Sequence, residues 1–272
     1  MNINVLQANI IKGVSVLLML FHHLLAFPER VPEYSDLLLV SQGGLGSIAQ
    51  FFKVCVPIFF FLFGYAMAKK NELLFTPYLF RIITFYKSYF FYFVIWTAVG
   101  FCFFYNTVYP GTLDLMFKFD VSNLFFWQLA YVIGIIFSQE GLLRFRLNSK
   151  ALSYFYFVVI NFLVFLIWLL FGKNILVFVA PLVVFSFTLL KYGTQSLLFN
   201  SLSFLGRLSL PVWLIHPFYC YYFYSNFVYS FSSALLAYVV LVFLSVITAF
   251  FLEKLRGILI TYYSTKRVLT LL

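Results

Sequence analysis

The side chains best suited to proton-transfer chemistry in this 272-residue chain are its three histidines. His22 and His23 lie near the end of the first long apolar run, and His216 lies in a late one. Imidazole has an unperturbed pKa of about 6.5, so a neutral histidine can accept a proton from a hydroxyl at working pH. Ionisable side chains inside apolar segments are costly to insert into a membrane, which makes each of the three a functional candidate.

Lys12 stands on the same predicted helix as His23. At 100° per residue the two side chains return to within about 20° of the same face, roughly 16 Å apart along the axis. His22 lies about 80° away from Lys12 by the same arithmetic. This face suits a ligand whose anionic groups contact Lys12 and whose reactive end reaches His23. The alternative is a lysine that extends to lipid headgroups and a histidine that is hydrogen-bonded among the helices.

The composition is that of an integral membrane protein. Apolar residues make up 64% of the chain and charged residues only 10%, whereas a soluble domain has about 25% charged residues. The net charge of +10 does not indicate nucleic-acid binding, because the basic residues form short clusters between apolar runs. Cys55, Cys102 and Cys220 fall inside apolar segments, so their spacing predicts neither a disulfide framework nor a metal site.

The apolar runs predict an all-α polytopic membrane protein, since about 20 helical residues span the hydrocarbon of a bilayer. Eight runs are found, at residues 10–27, 48–68, 82–105, 121–137, 151–171, 175–190, 208–223 and 227–252. With the N-terminus in the cytoplasm, the inner connections hold fourteen Lys and Arg residues and the outer ones three. This positive-inside bias places both termini in the cytoplasm. No repeat or linker divides the chain, so residues 1–272 form one predicted domain.

Each of the other polar and aromatic residues at membrane depth has two possible roles. Lys53 either takes part in chemistry or pairs with a carboxylate. Trp127, Gln128 and Tyr131 either line a cavity or pack between helices. Arg207 either contacts a ligand or anchors its helix at the inner rim of the membrane.

Four patterns follow Lys12 and His23 in order along the chain. FFLFGY occupies residues 60–65, a basic segment with Arg81 and Lys87 opens the third run, FWQLAY occupies 126–131 and LGRLSLPVWLIHP occupies 205–217. In this order they resemble the membrane acyltransferase family 3, whose best-known members O-acetylate bacterial lipopolysaccharide, capsule and other envelope glycans. The resemblance extends from residue 12 to about residue 222.

The resemblance implies an O-acyltransferase of the bacterial cytoplasmic membrane, in a family that usually has about ten spans. It would move an acetyl group from cytoplasmic acetyl-CoA to a hydroxyl of an envelope polysaccharide or glycolipid. Its partners would be membrane lipid, acyl-CoA and the glycan acceptor, with acetyl-CoA as donor substrate and no bound cofactor.

The resemblance also implies roles for particular residues. His23 would be the general base on the acceptor hydroxyl, with His22 and His216 either catalytic or structural. Lys12, Arg81 and Lys87 would hold the phosphates of acyl-CoA. The predicted lining of the cavity is Lys53, Gly64, Tyr65, Trp127, Gln128, Tyr131 and Arg207.

The chain departs from the family pattern at two positions of its motifs. Lys12 replaces the usual arginine, so a bidentate phosphate contact becomes a point-charge contact. Phe63 stands where the family has serine, which removes a hydroxyl. Two alternatives therefore stay open at this point: a transporter or flippase accessory for a glycan or lipid intermediate, and a non-catalytic relative that acts as an assembly partner.

Overall fold

The structure is a computed structural model that describes residues 3–69, 83–84, 87, 91–92, 94–95, 121–139, 149–172, 175–190, 196–222 and 224–269. Within these ranges all regular secondary structure is helical. The predicted all-α class is therefore confirmed for the part of the chain that the structure describes. The third apolar run lies mostly outside these ranges.

The helices are numbered here in chain order. The first part of the chain forms α1 (Val5–Leu25), α2 (Leu37–Gln42), α3 (Gly44–Phe51) and α4 (Cys55–Lys69), with short 3₁₀ turns at Pro28–Arg30 and Phe52–Val54. The later part forms α5 (Val121–Gln139), α6 (Lys150–Phe171), α7 (Leu176–Leu189), α8 (Leu197–Arg207), α9 (Ser209–Pro217), α10 (Ser225–Tyr229) and α11 (Ala234–Leu269). A π-helical segment, Phe218–Tyr222, follows α9 directly.

Four helical segments are long and apolar enough to cross a membrane, or five if one bent pair counts as a single span, among the residues that the structure describes. The unbent four are Val5–Leu25, Gly44–Lys69, Lys150–Phe171 and Ala234–Tyr262. The bent pair joins α8 to the segment Ser209–Tyr222 at an angle of 68°. The predicted run at 208–223 is thus the second arm of a broken helix, and the count of eight spans stays a prediction, as does the cytoplasmic placement of the termini.

Helix α1 begins five residues before the apolar run from which it was predicted, because a capping box precedes it. The side chain of Asn4 accepts a hydrogen bond from the Gln7 amide at 2.8 Å, and the Gln7 side chain accepts one from the Asn4 amide at 3.1 Å. These reciprocal bonds satisfy N–H groups that a helix start otherwise leaves without partners. The cap fixes the start of the helix that carries Lys12, His22 and His23.

Glycines allow two helix pairs to pack backbone against backbone. A Cβ atom added to Gly13 of α1 would lie 2.1 Å from the Leu202 carbonyl oxygen of α8, and one on Gly206 would lie 1.8 Å from that of Asn9. Helices α4 and α5 meet in the same way, through Gly64 and Gly134. Close contact through small residues is a common source of stability between helices in membranes. The Gly13 contact holds α1 in its place beside the bent pair that carries His216.

We expect Gly13→Ala to lower the midpoint of thermal unfolding in detergent, since the added methyl group has no room beside the Leu202 backbone. Overpacking of this kind costs about 1–3 kcal/mol. The matched control is Gly257→Ala on α11, where the new Cβ meets nothing within 4 Å and alanine favours the helix. An unchanged midpoint in Gly13→Ala would show that α1 and α8 do not pack as closely as described.

Candidate active site

The central contact of the site joins His23 at the end of α1 to Tyr221 in the π-helical segment. The Tyr221 hydroxyl lies 2.5 Å from His23 Nδ1 and 2.9 Å from the backbone carbonyl oxygen of the same histidine. A tyrosine has one hydroxyl proton, and the carbonyl oxygen can only accept it. His23 Nδ1–H therefore donates to Tyr221, Tyr221 donates to the carbonyl, and Nε2 of the neutral ring keeps its lone pair.

His216 packs beside His23, although 193 residues separate them in the sequence. Their ring centroids are 4.7 Å apart, and only 1% of His216 is exposed. His216 Nδ1–H donates to the Val212 carbonyl one turn earlier, at 3.3 Å. Its Nε2 is buried and has no hydrogen-bond partner among the described residues. A buried polar atom without a partner costs free energy, so this nitrogen is available to a hydroxyl or a water that enters the site.

A change of helical geometry lies between His216 and Tyr221. In an α-helix two side chains five residues apart point about 140° away from each other. The chain widens to a π-helix after Pro217, which has no N–H to donate to the α-helical ladder. With this change between them, both residues contact His23 at the end of α1.

His22 is held by the backbone of α3. Its Nδ1–H donates to the Ala49 carbonyl at 2.8 Å, and only 5% of the residue is exposed. His22 thereby ties α1 to α3, and its ring edge contacts Phe27 at 5.1 Å between centroids. Its ring centroid is nevertheless 5.2 Å from that of His23, so the predicted difference in direction does not keep His22 away from the site.

Two cations border the histidines. The Arg30 guanidinium lies over the rings of Phe27 and Tyr221, 4.3 Å and 4.5 Å from their centroids. Lys53, half-buried in the 3₁₀ turn before α4, is close enough for its charge to act on both His22 and His23. The sequence analysis included Lys53 but not Arg30 among the site residues.

Lys12 lies on α1 eleven positions before His23 and is half-buried. Among the residues that the structure describes, its ammonium group has no hydrogen-bond or ion-pair partner. A partly desolvated cation without a counter-ion favours an anionic ligand. Eleven helical residues, about 16 Å of axis, separate it from His23.

The structure places the other predicted residues away from the histidines or outside the described part. Gly64 and Tyr131 meet at the contact of α4 with α5, and the Tyr65 hydroxyl accepts a hydrogen bond from the Ile3 amide at 3.2 Å. For these three the geometry shown is that of helix packing. Arg207 is exposed, with its guanidinium 5.8 Å from the Phe204 ring centroid.

Four predicted site residues remain: Arg81, Lys87, Trp127 and Gln128. Lys87 is helical and exposed, and Gln128 is half-buried on α5. Trp127 lies on α5, but its side chain is outside the described part of the structure, as is the whole of Arg81. The predicted cavity lining and the predicted phosphate contacts of Arg81 and Lys87 therefore stay predictions.

Sequence reasoning missed Tyr221, Phe27 and Arg30. The aromatic run that follows His216 and Pro217 was visible, but α-helical periodicity would turn Tyr221 away from His216. Phe27 and Arg30 were assigned to the end of a span and to an external loop. The one available signal was the short distance in sequence between His23 and Arg30.

No group of three histidine, cysteine or carboxylate side chains within the described ranges converges in a way that could hold a metal ion. Comparison of the chain with protein-family models, with curated proteins and with solved structures found no match. The reaction class proposed below therefore depends on the order of the motifs in the sequence, and the roles of the residues depend on their geometry.

Proposed function

We propose that this protein is a membrane-embedded O-acyltransferase that moves an acetyl group from acetyl-CoA to a hydroxyl of a cell-envelope glycan. The observation that carries the proposal is the His23 imidazole, whose Nδ1–H is engaged by Tyr221 and whose Nε2 keeps a lone pair next to His216. A base held in one tautomer is what acyl transfer to a hydroxyl requires. The resemblance of the ordered motifs to membrane acyltransferase family 3 supplies the reaction class.

The proposed reaction has two linked transfers. His23 Nε2 takes the proton of the acceptor hydroxyl while the hydroxyl oxygen attacks the carbonyl carbon of the thioester. The C–S bond then breaks, the acetyl group stays on the acceptor oxygen as an ester, and the CoA sulfur leaves with the proton that His23 had accepted. Tyr221 orients the imidazole through the first step and stabilises its protonated form.

Lys12 holds the donor at the other end of the same helix face. Acetyl-CoA is a long molecule with its phosphates at one end and its thioester at the other, so it suits a cation and an imidazole separated by about 16 Å. The expected orientation puts Lys12 at the cytoplasmic rim, where acetyl-CoA is made, and His23 toward the outer half of the bacterial inner membrane. A site open at both ends then allows a cytoplasmic donor to modify an outward-facing acceptor.

We expect deletion of the gene to remove O-acetyl methyl signals from the proton NMR spectrum of the cell-surface polysaccharide. The polymer itself should persist in normal amount, because the proposed reaction acts on an existing hydroxyl. Complementation with the unaltered gene is the control and should restore the signals.

The same experiment separates the alternative functions. Loss of the polymer, or accumulation of its precursor, would favour a transporter or flippase accessory. Ester signals that persist in every surface glycan of the deletion strain would contradict the proposal.

A further inference from the structure

Arg30 is an exposed cation beside the two aromatic rings that contact His23. Its guanidinium lies 4.3 Å from the Phe27 centroid and 4.5 Å from the Tyr221 centroid. The backbone that carries it is a 3₁₀ turn in which the Arg30 amide donates to the Phe27 carbonyl at 3.0 Å. The arginine is therefore placed both by its backbone and by the two rings that contact it.

The segment that follows Arg30 is also anchored to the rest of the fold. The Ser35 hydroxyl donates to the Tyr229 carbonyl at 2.7 Å, and Tyr229 donates in turn to the Leu24 carbonyl of α1 at 3.1 Å. Val31 and Leu37 are buried in the same core as the end of α1. Arg30 thus belongs to a structured part of the site, beside the helix that carries His23.

No carboxylate lies within ion-pair distance of Arg30 in the described part of the chain. Within the described ranges, the cations that act electrostatically on His23 are Arg30 and Lys53, and no acidic residue does so. A guanidinium has five N–H donors, more than its contact with Tyr221 uses, and its planar fork matches the two oxygens of a carboxylate. The local charge and the geometry both favour an anionic group of the ligand.

Arg30 and the proposed base contact the same two rings. The His23 centroid lies 5.9 Å from that of Phe27 and 5.6 Å from that of Tyr221. The cation and the imidazole are thus separated by one layer of aromatic side chains. If a sugar hydroxyl of the ligand lies at His23, a group on the same sugar ring or on the adjoining one is close enough to contact Arg30.

We infer that the acceptor is an acidic glycan, and that Arg30 binds the carboxylate of a sugar acid within one residue of the hydroxyl that receives the acetyl group. This inference rests on the proposed function for the identity of the acceptor, but the binding of an acidic sugar can be measured without the reaction.

The test is the thermal unfolding midpoint of the purified protein in a zwitterionic detergent, followed by tryptophan fluorescence at constant ionic strength. We expect sodium glucuronate near its saturating concentration to raise the midpoint of the wild type by about 2–4 °C. Glucose and sodium acetate at the same concentration should leave it unchanged. Arg30→Gln should remove the glucuronate shift, and Arg30→Lys, which keeps the charge without the planar fork, should keep part of it.

Lys254→Gln is the matched control, since Lys254 is also an exposed cation over an aromatic ring, 4.8 Å from the Phe250 centroid, but lies on α11. It should keep the full glucuronate shift. Equal shifts with glucose, or a full shift in Arg30→Gln, would overturn the inference. If acetate raises the midpoint as much as glucuronate does, the inference is also overturned, because the site then binds any carboxylate. If phosphatidylglycerol abolishes the glucuronate shift, the inference is overturned, because Arg30 then binds a lipid headgroup.

His23→Asn separates this inference from the proposed function. The variant should keep the glucuronate shift and lose acetyl transfer. If the wild type binds glucuronate through Arg30 but acetylates no envelope glycan, the acidic-sugar site stands and the reaction fails. If a neutral glycan is acetylated and glucuronate has no effect, the reaction stands and the inference fails.

Discussion

We expect His23→Asn to lower acetyl transfer by about 100- to 10,000-fold, the usual contribution of a positioned general base. The measurement is transfer of radiolabelled acetyl groups from acetyl-CoA to envelope glycan in membrane vesicles. Asparagine is the informative replacement, because its amide N–H can still donate to Tyr221 where His23 Nδ1–H did. The variant should therefore insert and pack normally while it lacks any group at the position of Nε2.

His22→Asn is the matched control, since it makes the same substitution at the neighbouring residue. Its amide can still donate to the Ala49 carbonyl, and we expect activity close to that of the wild type. Normal activity in His23→Asn together with its loss in His22→Asn would show that the base has been assigned to the wrong histidine. Loss in neither would move the assignment to His216.

Tyr221→Phe extends the same prediction. The phenyl ring keeps the packing around His23 but cannot accept from Nδ1–H, so the ring loses the bond that fixes its tautomer. A single hydrogen bond of this kind is worth about 0.5–1.5 kcal/mol, which corresponds to a decrease in kcat of up to about tenfold. A decrease as large as that of His23→Asn would indicate that Tyr221 does more than orient the base.

We expect Lys12→Met to raise the KM for acetyl-CoA by about 10- to 100-fold, because a hydrogen bond to a charged group contributes about 1.5–3 kcal/mol. Methionine keeps most of the length and apolar stem of lysine without its charge. If Lys12 touches only the phosphates, far from the reacting carbonyl, then kcat at saturating acetyl-CoA should change little. The measurement is the dependence of the initial transfer rate on acetyl-CoA concentration.

Two further variants sharpen the Lys12 test. Lys12→Arg should keep the affinity for acetyl-CoA, since it keeps the charge and adds a bidentate contact. Lys150→Met is the matched control, because Lys150 is an exposed lysine at the start of α6. If the KM of Lys12→Met equals that of the wild type, the lysine only contacts lipid headgroups and the donor phosphates bind elsewhere.

The membrane character and the helical class of this chain follow from its sequence. The apolar runs at residues 10–27, 48–68 and 151–171 correspond closely to helices of the structure, because a long apolar stretch in lipid satisfies its backbone polar groups only within a helix or a closed barrel. The run at 208–223 was read as a separate span, whereas the structure joins it to α8 through the bend at Leu208. Hydropathy shows which residues are apolar, but it does not show whether two short helices are joined as one bent pair.

Within one helix the sequence also determined which faces the polar side chains share. The 3.6-residue period predicts Lys12 and His23 on one face and His22 on another. The two histidines do have different hydrogen-bond partners, but their ring centroids are only 5.2 Å apart. The start of α1 was mispredicted, although Asn4 and Gln7 have the spacing of a capping box. That signal is local and was available in the sequence.

The composition of the site was decided only by the tertiary structure. His216 and Tyr221 are almost two hundred residues from His23 in the chain, and no local period relates them. Their approach depends on the glycine contact that holds α1 against α8, on the bend between α8 and α9, and on the π-helical segment that reorients Tyr221. Periodicity within a helix follows from backbone geometry, whereas contacts between helices depend on the packing of many side chains at once. The sequence therefore indicated the proposed base, and the fold supplied the tyrosine, the second histidine and the arginine that surround it.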